Sequence, residues 1–494
     1  MNHFTGFLNI YKEKGMSSMA ACARVRRILD VQKAGHAGTL DPMAEGVLPV
    51  ALGRACKSAD DAAEGRKTYR AGMLLGVVTD TQDITGTVLA ESKGPFPSEE
   101  RIREVLQSFV GEYDQLTPMY SARQVDGKRL YELAREGLTV ERRSKKVDIL
   151  DICVEKIDLP HVVFLVTCTK GTYVRTLCHD AGDMLGCGAC MESLVRTAVG
   201  KFDLSDALSF RDVEELRDKG QIDKTLRVIT PTAVAIGKFD GAHLGHRKLF
   251  RELRKAAEKH HLRSLVLILN VPGKSISDRR RKKEQILSMG IDYCIEYELD
   301  KDLMNMSAED FLTNVLIGRL AMRFLVASKD VAFGKDRTGN AQFLLENAAK
   351  YGFTFKLIDK LRSEKDGREI SSTMVREAIG SGDMEEAGRL LGEPFSVCGK
   401  AYCGGTHIAK LSIPEDRQMP PFGTYLTETV VLEEEPKQIR NDMTAPKNKE
   451  AACFAGTSVL MEEPDGSVTL ENTLPADAGD TAGKTLEVRF LRMK

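Results

Sequence analysis

The sequence predicts three consecutive regions: an α+β domain over residues 1–228, an α/β domain over 229–394 and a small degenerate β region over 395–494. Three observations lead there. The first half mixes strand-like runs and amphipathic helices without a fixed alternation. Near residue 232 the pattern becomes strand, Gly-rich turn, helix and strand, the opening of a parallel, doubly wound sheet. From about Phe395 the helical periodicity stops and only β segments follow. A chain of 494 residues is in any case too long for one ordinary domain.

Residues 6–90 hold strand-like runs (GFLNIY, TYRAGMLLGVVT) around a helix over 18–29, with Ser17 or Ser18 as its N-cap. Residues 98–110 read as a second helix, opened by Pro97 and Ser98 and ended near Gly111. Residues 147–168 read as strands, with LPHVVFLVTC a buried one, and 172–187 as a helix. A polar helical stretch over 205–230 ends at Pro231. Then come a buried strand (Ala233–Ile236), the turn GKFDGAHLGH, a basic helix to about Lys259 and the strand SLVLIL. A domain boundary is expected at 228–232. Toward the C-terminus a polar linker, LEEEPKQIRNDMTAPKNKE, precedes a hairpin turned at Pro464-Asp465-Gly466.

Composition narrows the class. With 42% hydrophobic and 29% charged residues, the chain is that of a globular protein. It has no apolar run of membrane-spanning length and its start does not read as a signal peptide, so a cytoplasmic protein with no membrane contact is expected. The 11 cysteines are odd in number and scattered, which argues against a disulfide framework. Cys187 and Cys190 form one Cys-x-x-Cys without a second pair, so no metal site is expected and buried thiols are. Net charge is −1 and neither half is globally basic. Basic clusters at Arg24, Arg26, Arg27 and Lys33, and at Arg142, Arg143, Lys145 and Lys146, each fit a solvated face. A case for RNA must rest on a site.

The first such site is Lys33-Ala-Gly-His-Ala-Gly-Thr-Leu-Asp41-Pro42. Gly35 and Gly38 permit close backbone approach, and Pro42 pushes Asp41 toward an extended geometry. An Asp so placed suits a nucleophile or base, or an ordinary turn. GHAGTLDPMAEGVLPVALGRA resembles the catalytic motif of the TruB family of tRNA pseudouridine synthases. GFLNIYKEKGMSS is similar to that family's N-terminal motif, with Glu13 in place of Pro and Ser17 in place of Thr. The blocks KTYRA with LLGVVTDTQDITG, TPMYSARQVDGKRLYELAREG and CTKGTYVRTLCHDAGDMLGCGACMESLVRT follow in the family's order, over about residues 4–228.

That resemblance implies isomerisation of a T-loop uridine of tRNA (position 55) to pseudouridine, without a cofactor. It makes Asp41 the nucleophile that lets the uracil be detached, turned and rejoined through carbon. Tyr69 would stack on the base and act in its deprotonation, and Arg175 would pair with Asp41, an opposite charge that favours the carboxylate. His36 would fill the gap left in the RNA and Leu194 would line the uracil pocket. Extruding a base from folded RNA is offset by such stacking. Only about 25 residues separate VGKFDLS from the next domain, so the C-terminal RNA-binding part of the family looks reduced.

The second site is Gly237-Lys-Phe-Asp240-Gly-Ala-His243-Leu-Gly245-His246, between a buried strand and a helix. Phosphate binds readily at such a helix start, and two histidines add donors or positive charge. This HxGH element, with ILSMGIDY, SAEDFLTNVLIGRL and ISSTMVR, resembles the nucleotidyltransferase part of bacterial riboflavin kinase/FAD synthetases over about 230–398. The resemblance implies ATP with Mg²⁺, and FMN, as ligands. His243, His246, Ser371, Ser372, Thr373 and Arg376 would hold the phosphates. LVLILNVPGK and SKDVAFGK depart from the family on its flavin side. The stretch GKAYCGGTHIAKLSIPEDRQMPPFGTYL resembles the start of a riboflavin kinase barrel but lacks its Pro-Thr-Ala-Asn element, so kinase activity is not expected. The alternatives are FMN adenylylation as the main role of the chain, or a second half that binds nucleotide or flavin without catalysis.

Overall fold

Buried on nearly every residue, β1 (Gly6–Lys12) and β3 (Glu45–Leu52) pair antiparallel, as strands do when both faces are covered. They belong to the first of two units, residues 2–227 and 228–494, into which the chain divides. The computed structural model describes all residues except 1–3, 63, 122–123, 126–127, 131–132, 134–137, 139, 141, 143, 405–407, 433–452, 464–467, 475–480 and 482–483. The expected polar linker, the Pro464-Asp465-Gly466 turn and Arg143 lie outside the described residues.

Between β1 and β3 come α1 (Ser18–Leu29) and β2 (Ala34–His36). Ser17 caps α1 by accepting from the Ala20 N–H, and Arg26 and Arg27 in its last turn complement the helix dipole. Next are β4 (Lys67–Leu75), the hairpin of β5 (Val77–Thr79) and β6 (Val88–Glu91), α2 (Glu99–Gln107) capped by Ser98, and β7 (Gly111–Leu116). The long β8 (Ser144–Asp158) pairs with β9 (His161–Cys168). Then follow α3 (Val174–Leu185), β10 (Ala189–Val199), the short β11 (Phe202–Asp203) and α4 (Phe210–Asp218), which a Ser209–Asp212 capping box opens. The sheet runs β1-β3-β10-β4-β9-β8-β7, with β2 beside β3 and β11 beside β10. Only the β3–β10 contact in it is parallel among the described pairs.

Two sequence expectations change here. β9 alternates buried and partly exposed residues instead of being buried throughout, because one face meets α3 and the core while the other faces outward. The helical stretch over 205–230 is broken into α4 and a single turn at Ile222–Thr225. Gly220, at φ 65°, separates them.

In the second unit β12 (Thr232–Gly237) leads to α5 (Leu244–Lys259), β13 (Arg263–Asn270), α6 (Arg279–Ser288) and β14 (Tyr293–Glu298). A π-helical segment, Phe311–Arg319, precedes β15 (Met322–Ser328), α7 (Ala341–Tyr351) and β16 (Thr354–Ile358). The five strands are parallel in the order β14-β13-β12-β15-β16. The order reverses at β12, so the loop after it opens at the switch point where such sheets bind ligands. After α8 (Ser372–Gly380) and α9 (Met384–Leu391), six strands close a barrel: β17 (Phe395–Gly404), β18 (Ile408–Ile413), β19 (Gly423–Leu432), β20 (Cys453–Glu462), β21 (Val468–Thr473) and β22 (Thr485–Met493). The expected short β segments are thus strands of up to ten residues in a closed cylinder. Among the described residues no helix is long and apolar enough to cross a membrane.

Candidate functional site

Asp41 lies in the loop between β2 and β3, and four buried side chains fix that loop. From α1, the Ser18 hydroxyl donates to the Leu40 carbonyl at 3.0 Å and accepts from the Leu40 N–H at 2.9 Å. From β1, the Lys12 ammonium donates to the carbonyls of Met16 (2.6 Å) and Pro42 (3.4 Å). Burial pushes that ammonium down to about 8, against the pull of Asp41 and Glu45. From β10, Arg196 is fully buried and donates to Val47 O (2.8 Å), Gly38 O (3.1 Å) and Thr39 O (3.4 Å). Gly46, at φ 101°, lets this happen: a Cβ there would stand 2.3 Å from Arg196 O.

The fourth is Arg175, in the first turn of α3. Its Nη1 lies 3.2 Å from Asp41 Oδ2 and 3.5 Å from Asp83 Oδ2, and its Nη2 donates to Tyr120 O at 2.6 Å. Arg175 and Asp83 are buried, whereas the Asp41 carboxylate is 39% exposed and available to a ligand. Asp83 in turn accepts from the Thr81 hydroxyl and the Thr85 N–H, each at 3.0 Å. The loop that delivers Arg175 is held by the Gln115 amide, which accepts from Tyr173 N–H (2.7 Å) and donates to Tyr173 O (2.9 Å). Such a shell holds a reacting carboxylate in one geometry before any substrate arrives.

Tyr69, on β4, stands opposite Arg196 of β10, and Leu194 lies two residues earlier on β10 opposite Ala71. Both are buried in the same core cluster. Burial pushes the Tyr69 phenol up, partly opposed by the Arg196 charge. His36 is half-buried at the end of β2. Burial and Arg196 push it down, and its Nδ1 has no hydrogen-bond partner among the described residues. Ser18, Lys12, Asp83 and Arg196 were not foreseen. All four lie inside the blocks that carry the family resemblance, but nothing local to those blocks marks their roles.

At the second site His243 is the N-cap residue of α5, and the His243 and His246 rings stack at 3.6 Å between centroids. Burial pushes His243 down to about 4 and holds His246 well below its ordinary value, so neither is positively charged near neutral pH. In place of the expected added charge, the pair in this unliganded loop is two neutral imidazoles, each with one N–H donor and one acceptor nitrogen. Their Nδ1 atoms are buried without partners among the described residues. A Cβ on Gly245 would sit 3.3 Å from Ile370 O, so the start of α5 touches the ISSTMVR segment.

Three of the other expected phosphate ligands are engaged within the protein. Ser371 caps α8 through Met374 N–H, and the Ser372 hydroxyl donates to Asp240 O at 3.1 Å. Arg376 pairs with the Asp240 carboxylate and donates to Lys274 O at 2.9 Å. Thr373 is exposed. At the end of β13 the Asn270 amide donates to Glu296 and Glu298, each at 3.0 Å, and accepts from the buried Lys282 ammonium at 3.2 Å. No group of three acidic, His or Cys side chains suited to a metal occurs among the described residues.

Comparison with known proteins follows this division. The profile of the TruB family pseudouridylate synthase N-terminal domain matches residues 26–174, and that of the tRNA pseudouridylate synthase B C-terminal domain matches 175–236. The tRNA pseudouridine synthase B of Clostridium kluyveri is 47% identical over 213 residues, 43% of this chain and 73% of that protein. The chain belongs to the tRNA pseudouridine synthase B family. Its relatives in this isomerase family include those of Geobacter sulfurreducens, 46% identical over 44% of this chain and 71% of that protein, and of Geotalea uraniireducens, 42% identical over 51% and 78%.

The matched C-terminal-domain segment begins at Arg175 and contributes β10 to the main sheet, while the alignment leaves about a quarter of the Clostridium kluyveri protein without a counterpart, having covered 73% of it. Beyond the synthase half, residues 227–374 match FAD synthetase, a span that includes the parallel sheet and ends ahead of the barrel.

Proposed function

We propose that residues 4–227 convert a uridine in the T loop of tRNA, position 55 in the family, to pseudouridine without a cofactor. The observation that carries this reading is the half-exposed Asp41 carboxylate, held by the buried Arg175–Asp83 pair beside Tyr69 and Leu194. Asp41 is the nucleophile that allows the uracil to be detached at nitrogen, turned and rejoined through carbon. Arg175 aims the carboxylate, Leu194 lines the uracil pocket, and His36 takes the space the base vacates in the RNA. Tyr69 stacks on the flipped base. Its raised phenol favours that stacking role over proton removal at neutral pH. The substrate places this chemistry in the cytoplasm.

The test is Asp41→Asn, which keeps the shape and removes the charge. Turnover on a tRNA transcript is expected to vanish while tRNA affinity stays within about three-fold. Substantial pseudouridine formation by the variant would overturn the assignment.

We infer, as a second reading, that the α/β part of the second unit binds ATP with Mg²⁺ at the HxGH loop. Its support is the loop's place at the switch point of the parallel sheet, with two partnerless buried imidazole nitrogens at a helix start. Magnesium would arrive on the nucleotide phosphates, and Arg376 would exchange Asp240 for phosphate. The Asn270–Glu296–Glu298–Lys282 network favours a nucleotide-binding module over FMN adenylylation, because it fills the strand end where the sequence departs on the flavin side. Calorimetry of the full chain with ATP and Mg²⁺ tests binding, and addition of FMN with analysis for FAD separates the two alternatives.

A further inference from the structure

Lys67 opens β4, opposite Cys168 of β9 and Val199 of β10. Tyr69 follows two residues on and so shares its face of the strand. Lys67 is half-buried, and no acceptor for its ammonium occurs among the described residues. The charges around it are cationic: Arg196, Lys170 and Lys145. Cys168 offers no counter-charge, since burial pushes its thiol up to about 11. The Lys145 ammonium lies over Gly171, where a Cβ would come within 2.2 Å of it, and reaches Lys170 O at 3.4 Å. One acid touches the group: Glu64 pairs with Lys170 at 2.9 Å, with both side chains more than half exposed. A partly buried ammonium among like charges is unfavourable unless an anion completes it.

We propose that Lys67, Lys145 and Lys170 form a pocket for a backbone phosphate of the RNA next to the base stacked on Tyr69. The pocket stands at the sheet end where the 169–173 loop leads into Arg175, so a phosphate held there fixes the RNA strand beside Asp41. Burial and its cationic neighbours hold Lys67 down at about 8, and an anion placed beside it would favour its charged form. Gly171, at φ 91°, leaves the floor of the pocket free of a side chain. The proposal rests on the RNA-modifying reading of the first unit.

The experiment measures binding of a T-arm stem-loop RNA by fluorescence anisotropy across a salt series, for the parent, Lys67→Met, Lys67→Arg and Lys145→Gln. Lys67→Met is expected to weaken binding about ten-fold and to lower the slope of log Kd against log salt by about 1, one phosphate contact. The loss falls on the half-saturating RNA concentration more than on the single-turnover rate at saturation, and Lys67→Arg restores most of it. Lys145→Gln, an exposed change that folding tolerates, lowers the slope as well and decides the matter if Lys67→Met does not fold. Unchanged slopes in the folded variants, or a lost rate with an unchanged slope, would overturn the pocket. A parent that binds RNA with these slopes yet makes no pseudouridine would instead sink the isomerase reading and leave the pocket standing.

Discussion

Arg175 joins two carboxylates of different character, the half-exposed Asp41 and the buried Asp83. Removing the guanidinium leaves Asp83 with only its Thr81 and Thr85 donors in a water-poor place. Arg175→Ala is therefore expected to cost about 2–4 kcal/mol of stability as well as activity, read from urea unfolding and from turnover. Arg175→Lys keeps the charge and loses the planar fork, so it should fold near the parent's stability and still turn over poorly. Equal stability of Arg175→Ala and the parent would remove Asp83 from the network. Asp41, Tyr69 and Arg175 were legible in the sequence because each sits in a motif with its own chemistry. Ser18, Lys12 and Arg196 were not, for a physical reason: they act on backbone carbonyls and an N–H, and nearly any residue type can supply those partners. Ser18 even looked like a helix cap, a task that Ser17 performs.

At the scale of elements, the join of β12 to α5 shows how far a strand–turn–helix pattern can be read. Its order and its place before a parallel strand were visible, but the protonation of its histidines was not, because burial depends on the packing around Phe239 and Phe250. Folding holds His243 near 4, below its ordinary value of about 6.5 in an unfolded chain. The unfolded state thus binds the proton first as pH falls. The stabilisation is complete above about pH 6.5, is lost progressively toward pH 4 and changes no further below it. For His243 the loss amounts to about 3 kcal/mol, with His246 acting in the same direction. Urea unfolding between pH 7 and pH 4, followed in the second unit, should show its midpoint falling over that window. In His243→Asn the fall should be smaller. A midpoint independent of pH above 4 would mean that the imidazoles are solvated.

On the scale of the whole molecule, the two units carry separate cores and separate sites. Changing His243 and His246 together to Ala should abolish ATP binding in calorimetry while pseudouridine formation stays within about two-fold. A large loss of isomerisation in that variant would show that the sites are coupled. The change of pattern near residue 230 marked this division in the sequence, because a shift from mixed α+β to alternating strand and helix is a shift in layer architecture. Closure of the last strands into a barrel was readable only through the resemblance to the riboflavin kinase barrel, not from the local pattern. It depends on β17 pairing with β22 across the far ends of the region, a register that no local turn specifies.

The hold of Arg196 on the Asp41 loop also sets an order of events in time. Its guanidinium reaches carbonyls 149 to 158 positions earlier in the chain, and β10 must insert between β3 and β4 to deliver it. Contacts of such long sequence separation form late, because closing the intervening loop costs entropy before any contact rewards it. Helices and local hairpins can therefore return quickly after dilution from denaturant while the nucleophile is still unaimed. On a refolding time course, recovery of isomerase activity should lag the far-ultraviolet circular dichroism signal and keep pace with the docking of β10.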